Sequence, residues 1–206
     1  MGCYKKRLIA NIYAVERNSE RDLVKQWHKV GNRMLLWHGT RGENLIGIIQ
    51  TGFRVAPADA RRTGSMFGEG VYFSDLFSKC FQYANTSNFG IYSSTPASKK
   101  LAKKYVFLCE VALGNMRKLA TAQNVTDLPN DQEQSVMGYG RVGPSAKGNV
   151  YMNNGCIIPL GNIVDNPPLN ANVIQNDYSN LQHNEYVVYN TTQVRIRYIF
   201  ELRDLN

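Results

Sequence analysis

The spacing of apolar positions changes several times along the chain, and each change predicts an element. Residues 9–13 read as a short alternating strand, and Ser19 is placed to cap a helix over 20–28. Met34, Leu35, Leu36 and Trp37 are apolar throughout, which predicts a buried strand ending at His38, Gly39 and Thr40. Leu45, Ile48 and Ile49 fall at helical spacing, predicting a helix over 43–50 stopped by Gly52. Glycines and a proline break the pattern over 53–70, predicting a long loop. A strand is predicted over 71–74, followed by a helix capped by Asp75 and reaching Tyr83. Residues 93–104 read as an exposed insertion, 105–113 as a strand, Gly114 and Asn115 as a turn, and 127–149 as irregular. Two strands close the chain, over 184–189 and 193–202. In the second, Val194, Ile196, Tyr198 and Phe200 alternate with Arg195 and Arg197. Many strands, few short helices and no βαβ rhythm predict an α+β fold built on antiparallel sheets.

Composition narrows the classes. With 206 residues, 43% of them apolar, the chain has material for one domain, 1–206, and a buried core. No apolar run is long enough for a membrane-spanning helix, so no membrane partner is expected. Cys3, Cys80, Cys109 and Cys156 lie far apart, which suits reduced thiols in an intracellular setting, nucleus or cytoplasm, and argues against a structural metal. The formal net charge is +8, and up to Thr40 eight basic residues face three acidic ones. That balance favours a polyanionic partner, with a solvated basic face as the structural alternative.

Gly138, Gly140 and Gly143 match the dinucleotide fingerprint GxGxxG letter for letter. The fingerprint works only between a strand and a helix whose N-terminus holds the pyrophosphate. Pro144 follows at once and no helical pattern comes after it, so these glycines are assigned to a loop. What remains is His38-Gly39-Thr40 at a strand end, the run Gly68-Glu69-Gly70-Val71-Tyr72-Phe73-Ser74-Asp75, and Asn184-Glu185-Tyr186 far downstream. Taken singly, each has an ordinary structural reading.

Taken together, they resemble the poly(ADP-ribose) polymerase catalytic domain, of the diphtheria-toxin-like branch of ADP-ribosyltransferases. Leu35-Leu36-Trp37-His38-Gly39-Thr40-Arg41, the run from Gly64 to Phe73, Ala112-Leu113-Gly114-Asn115-Met116, Pro159-Leu160-Gly161 and Asn184-Glu185-Tyr186 fall in family order. The resemblance extends from about Arg7 to the C-terminus.

The resemblance implies two packed, mainly antiparallel sheets with a few short helices, and an NAD+ site with no metal. NAD+ is the co-substrate. His38, Tyr72 and Glu185 match the family's His-Tyr-Glu triad: His38 bonds the adenine-side ribose, Tyr72 stacks on the nicotinamide, and Glu185 is the catalytic glutamate. Gly39 matches the backbone contact to the carboxamide, and Tyr83 the ring on the opposite nicotinamide face. Thr40, Asn44 and Arg54 fall where family members contact the adenosine half. Lys79 falls at a family lysine close to the glutamate, where it holds diphosphate or acceptor, with a solvated helix lysine as its alternative. Cys80 stands where the family usually has a serine and is a poor hydrogen-bond donor. Ser65 stands where many members carry a tyrosine, which removes one stacking surface.

The expected activity is NAD+-dependent transfer of ADP-ribose to a protein acceptor, the chain itself included, and then to growing ADP-ribose chains. The alternatives are single-unit transfer, transfer to nucleic-acid ends, and a binding module without activity. The basic surface gives an expectation of weak contact with nucleic acid or poly(ADP-ribose). The stretch before the first motif is too short for the helical regulatory domain that commonly precedes this module, so activity is expected without a DNA signal.

Overall fold

A computed structural model describes residues 7–55, 65–84, 103–125, 128, 132–167 and 181–204. Their strands form three sheets. The largest runs in the order β1 (Arg7–Ala14), β12 (Val194–Asp204), β4 (Lys104–Ala112), β2 (Arg33–Gly39), β9 (Ile157–Pro159) and β8 (Asn149–Tyr151). A second contains β3 (Val71–Phe73), β11 (Glu185–Val188), β6 (Ser135–Gly138) and β5 (Met116–Leu119). A third pairs β10 (Ile163–Asp165) with β7 (Val142–Pro144). The contacts β2–β9 and β5–β6 are parallel, and the other pairs are antiparallel. The helices are α1 (Val24–Val30), α2 (Leu45–Thr51) and α3 (Phe77–Phe81), with short 3-10 turns between elements. This is the α+β architecture on antiparallel sheets that the sequence pattern predicts, with the two larger, mainly antiparallel sheets that the resemblance implies and a third, two-stranded one.

The core lies between the two larger sheets. Leu36, Phe107 and Ile196 from one meet Phe73, Tyr186 and Val188 from the other. Each such side chain contributes about 1.5–3 kcal/mol by leaving water. The strand β11 is buried on both faces: Tyr186 and Val188 join this core, while Val187 joins a second cluster with Phe67, Val136 and Leu181. A period of two therefore places Glu185 on the face of Val187, and Asn184 and Tyr186 on the other.

Several expectations are corrected. The first helix is broken into a 3-10 turn at Asn18–Glu20 and α1, which begins four residues later than expected and makes no side-chain cap bond. Glu20 is drawn into the interior, where Arg17 and Arg195 face it, and this interrupts a continuous helix. Asp75 does not cap α3. Leu76 occupies the cap position, and its N–H donates to Ser74 Oγ at 3.2 Å. The stretch expected to be irregular holds the buried strand β6 and the half-buried strand β7, short strands whose glycines hide their strand character. The short strands β5, β8, β9 and β10 have no counterpart among the predicted elements. The helix α2 ends as expected at Gly52, whose φ of 84° suits glycine. The middle of the predicted loop (56–64) and most of the predicted insertion (93–102) lie outside the described residues.

Candidate active site

A backbone bridge between Trp37 and Ser74 stitches the two larger sheets together. Trp37 N–H donates to the Ser74 carbonyl at 2.8 Å, and Ser74 N–H returns a bond to the Trp37 carbonyl at 2.9 Å. Around this stitch lie the end of β2, the start of α3 and the start of β11. Together they carry most of the residues singled out in the sequence.

His38 follows the stitch on β2. Its Nδ1 lies 2.8 Å from the Tyr72 carbonyl. A carbonyl only accepts, so Nδ1 carries the proton and Nε2 is left as an acceptor. The half-buried ring packs edge-on to Phe53 at 4.7 Å between centroids, with Phe73 and Phe107 nearby. Burial lowers its pKa to about 4, against the opposing pull of the Tyr72 carbonyl, so the imidazole is neutral at pH 7. Tyr72 pairs with Val187 across β3 and β11. Its hydroxyl donates to the Gly68 carbonyl at 2.7 Å and accepts from Phe67 N–H at 3.1 Å, which fixes the ring.

The short helix α3 and the turn after it bring three further residues, Lys79, Cys80 and Tyr83. Phe77 packs on Trp37 at 5.2 Å between ring centroids and on Phe81, four residues on, at 5.8 Å. At about 100° per residue, Lys79 then points away from that contact by roughly 200°, and it meets Glu185. Cys80 is buried and its thiol donates to the Trp37 carbonyl at 2.9 Å. Burial pushes the thiol pKa up to about 12, although the backbone N–H groups of Gly39 and Ser74 pull the other way. This sulphur is therefore not a nucleophile at neutral pH. Gly39 is packed so closely on α3 that an added Cβ would collide with the Cys80 carbonyl. Tyr83 stands exposed at the rim, its pKa raised first by partial burial and then by the negative charge of Glu185.

Glu185 is buried at the head of β11. Its Oε1 lies 2.5 Å from Lys79 Nζ, and Lys79 also reaches the His183 carbonyl at 3.4 Å. The other oxygen, Oε2, is buried and has no hydrogen-bond partner among the described residues. A carboxylate accepts several hydrogen bonds and is costly to leave unmet in the interior. This orphaned oxygen fits a hydroxyl brought by a bound molecule.

The residues expected on the adenosine side lie further out. Asn44 donates to Thr40 Oγ1 at 3.0 Å at the entry to α2. Arg54 is exposed and lines an open groove with Phe53, Val55, Tyr189, Asn190 and Thr191. Ser65 is exposed where the described chain resumes. Sequence reasoning missed the support beneath Glu185. Asn184 accepts at Oδ1 from Gly140 N–H (3.0 Å) and from Asn166 Nδ2 (2.9 Å), and donates from Nδ2 to Asp75 Oδ2 (2.8 Å). Tyr186 donates to the same Asp75 oxygen at 3.1 Å. The glycines of the rejected dinucleotide match serve this region: side chains at Gly140 and Gly143 would strike the His183 backbone and the Asn184 amide. Only the requirement for small residues there was visible in the sequence.

A family profile described as the poly(ADP-ribose) polymerase catalytic domain matches residues 2–204. Among similar proteins are poly [ADP-ribose] polymerase 1 of Danio rerio, 38% identical over 95% of this chain, and poly [ADP-ribose] polymerase of Sarcophaga peregrina, 37% identical over 94%. Poly [ADP-ribose] polymerase 2 of Zea mays is 35% identical over 94%. The chain spans 17%, 18% and 27% of the lengths of these three relatives.

Proposed function

Since the chain belongs to the poly(ADP-ribose) polymerase catalytic-domain family, we propose that it transfers ADP-ribose from NAD+ to a protein acceptor and then to the growing ADP-ribose chain. The observation that carries this reading is the divided environment of Glu185. One oxygen is held by Lys79, and the other is buried without a partner among the described residues.

In this reaction the bond between nicotinamide and ribose breaks, nicotinamide leaves with the electron pair, and an acceptor oxygen bonds to the ribose carbon and gives up its proton. Positive charge grows on the sugar as in glycoside hydrolysis. Glu185 Oε2 accepts from a ribose hydroxyl and stabilises that charge more than it stabilises the neutral substrate, which lowers the barrier. His38 accepts a ribose hydroxyl at Nε2, the nitrogen left bare by its bond to the Tyr72 carbonyl. Gly39 and Cys80 receive the carboxamide, and Tyr72 and Tyr83 supply aromatic faces that orient the leaving group. Thr40, Asn44 and Arg54 hold the adenosine half. Lys79 keeps Glu185 aligned. The basic surface serves weak contact with polyanions, and the buried free thiols Cys80, Cys109 and Cys156 suit a reducing, intracellular setting.

Transfer of a single unit is the second reading, favoured by Lys79 already occupying the Glu185 oxygen nearest to it. Incubation with labelled NAD+, read as nicotinamide release and on a gel, tests both. A ladder removed by a poly(ADP-ribose) glycohydrolase supports polymer formation, and one modified band supports single transfer. Absence of nicotinamide release overturns the transferase reading.

A further inference from the structure

The ladder between β3 and β11 stops one residue short of Glu185. Phe73 is the last residue of β3 to pair with β11, opposite Tyr186. The next residue, Ser74, turns away to pair with Trp37. Glu185 therefore keeps a backbone partner on one side alone, Gly138 of β6.

Side chains replace the missing ladder. Ser74 Oγ donates to the Asn184 carbonyl at 3.1 Å. Asp75 Oδ2 accepts from both neighbours of Glu185, from Asn184 Nδ2 at 2.8 Å and from Tyr186 OH at 3.1 Å. All three residues are buried. The orientation of the Asn184 amide is set by chemistry: the Gly140 N–H can only donate, so the atom facing it is Oδ1 and the atom facing Asp75 is Nδ2. Asn184 and Tyr186 lie on the opposite strand face from Glu185, so one carboxylate oxygen pins the backbone on either side of it without entering the cleft.

We infer that Asp75 is a positioning residue for Glu185: its carboxylate clamps Asn184 and Tyr186 and thereby fixes the glutamate relative to the wall formed by His38 and Gly39. The same dipeptide, Ser74-Asp75, is bonded to both walls, to Trp37 through backbone and to Asn184 and Tyr186 through side chains. The distance between the walls is thus set locally. Hydrogen bonding, rather than charge, does the positioning, because an amide oxygen at this place accepts the same two donors.

The inference rests on the transferase reading for its kinetic arm, and has a second arm that does not. Asp75→Ala is expected to lower kcat for nicotinamide release at least twentyfold, with KM for NAD+ and Kd for benzamide within threefold of the parent chain. Asp75→Asn is expected to recover kcat to within threefold of the parent. A general structural role would move KM, Kd and kcat together and gain nothing from asparagine. If Asp75→Ala does not fold, Tyr186→Phe removes one of the two bonds and is expected to lower kcat three- to tenfold with Kd for benzamide unchanged. In the arm independent of activity, amide hydrogen exchange at residues 184–186 is expected to accelerate at least tenfold in Asp75→Ala, or in Tyr186→Phe, and to stay as in the parent in Asp75→Asn. Unchanged exchange, or kcat within threefold of the parent in both Asp75→Ala and Tyr186→Phe, overturns the inference. Loosened exchange in Asp75→Ala or Tyr186→Phe, where the parent chain itself releases no nicotinamide, upholds the clamp and overturns the transferase reading alone.

Discussion

Lys79 Nζ and Glu185 Oε1 meet at 2.5 Å, an ion pair closed between α3 and the first residue of β11. Both side chains are largely removed from water, at 13% and 9% exposure. Removing one partner of a buried pair leaves the other charge uncompensated, a loss of about 3–5 kcal/mol. Lys79→Ala should therefore lower the melting temperature by roughly 6–20 °C. Lys79→Ala combined with Glu185→Gln should recover part of that loss, since the amide carries no charge to strand. Thermal unfolding of the two variants and the parent chain checks this, and equal melting temperatures for Lys79→Ala and the parent chain would deny the pair its structural weight.

Glu185→Gln keeps the shape of the side chain and removes its charge. Its effect should fall on the reaction and spare binding, because the carboxylate is assigned to charge that grows only as the glycosidic bond breaks. Nicotinamide release should drop by at least a hundredfold, while Kd for NAD+ changes by less than threefold. A variant that keeps most of its turnover would remove Glu185 from the chemistry.

Cys80 sits where a better hydrogen-bonding group would serve a carboxamide. Its buried thiol is engaged with the Trp37 carbonyl, and sulphur is a weak donor and acceptor. A neutral hydrogen bond is worth about 0.5–1.5 kcal/mol, so Cys80→Ser should tighten benzamide binding by about two- to tenfold. Isothermal titration calorimetry reads this directly, and equal or weaker binding would mean that the thiol is not what limits affinity.

The sequence made the two walls of the cleft legible and left their support hidden, for a physical reason. Strands 33–39, 104–112 and 194–204 advertise themselves by long apolar or alternating runs, and His38 stands out near the end of the first, Tyr72 within β3 and Glu185 at the head of β11. Asp75 carries no such signal. An acidic residue just before a short helix looks like a cap, and nothing local tells that its partners lie about 110 residues downstream. Similarly, β6 and β7 are four- and three-residue strands that each contain a glycine, and they exist because they pair with β11 and β10. Tertiary context, rather than propensity, decides such elements.

Gly39 tests how tightly the cleft is built. A methyl group there would collide with the Cys80 carbonyl, a backbone atom at the heart of α3 that has little freedom to yield. Gly39→Ala should displace α3 from β2, and with it Cys80 and Lys79. Benzamide affinity and turnover should both fall by at least tenfold, in contrast with Glu185→Gln, where binding is spared. Near-parental affinity would show that α3 can shift without cost to the subsite.

The last prediction concerns acid. In the folded chain His38 titrates near 4, because burial of the ring disfavours the cation, whereas an unfolded histidine titrates near 6.5. Between those values the unfolded chain takes up a proton that the folded chain refuses, so unfolding becomes easier as the pH falls. The contribution is fully present above pH 6.5, declines through the window, and stops changing below 4, where both states are charged. A shift of this size corresponds to a loss on the order of 3 kcal/mol across the window. Asp75 acts with the opposite sign: burial raises its carboxyl pKa, so the folded chain gains a proton before the unfolded one as acid is added. A substitution at His38 is needed to separate the two. His38→Gln can still donate to the Tyr72 carbonyl but does not titrate. Urea unfolding at pH 7.5, 6.5, 5.5 and 4.5 should show a clear loss of stability in the parent chain and a shallower one in His38→Gln. Parallel pH profiles for the two proteins would mean that the imidazole charges in place, and that its neutrality is not imposed by the aromatic rings of Phe53, Phe73 and Phe107 around it.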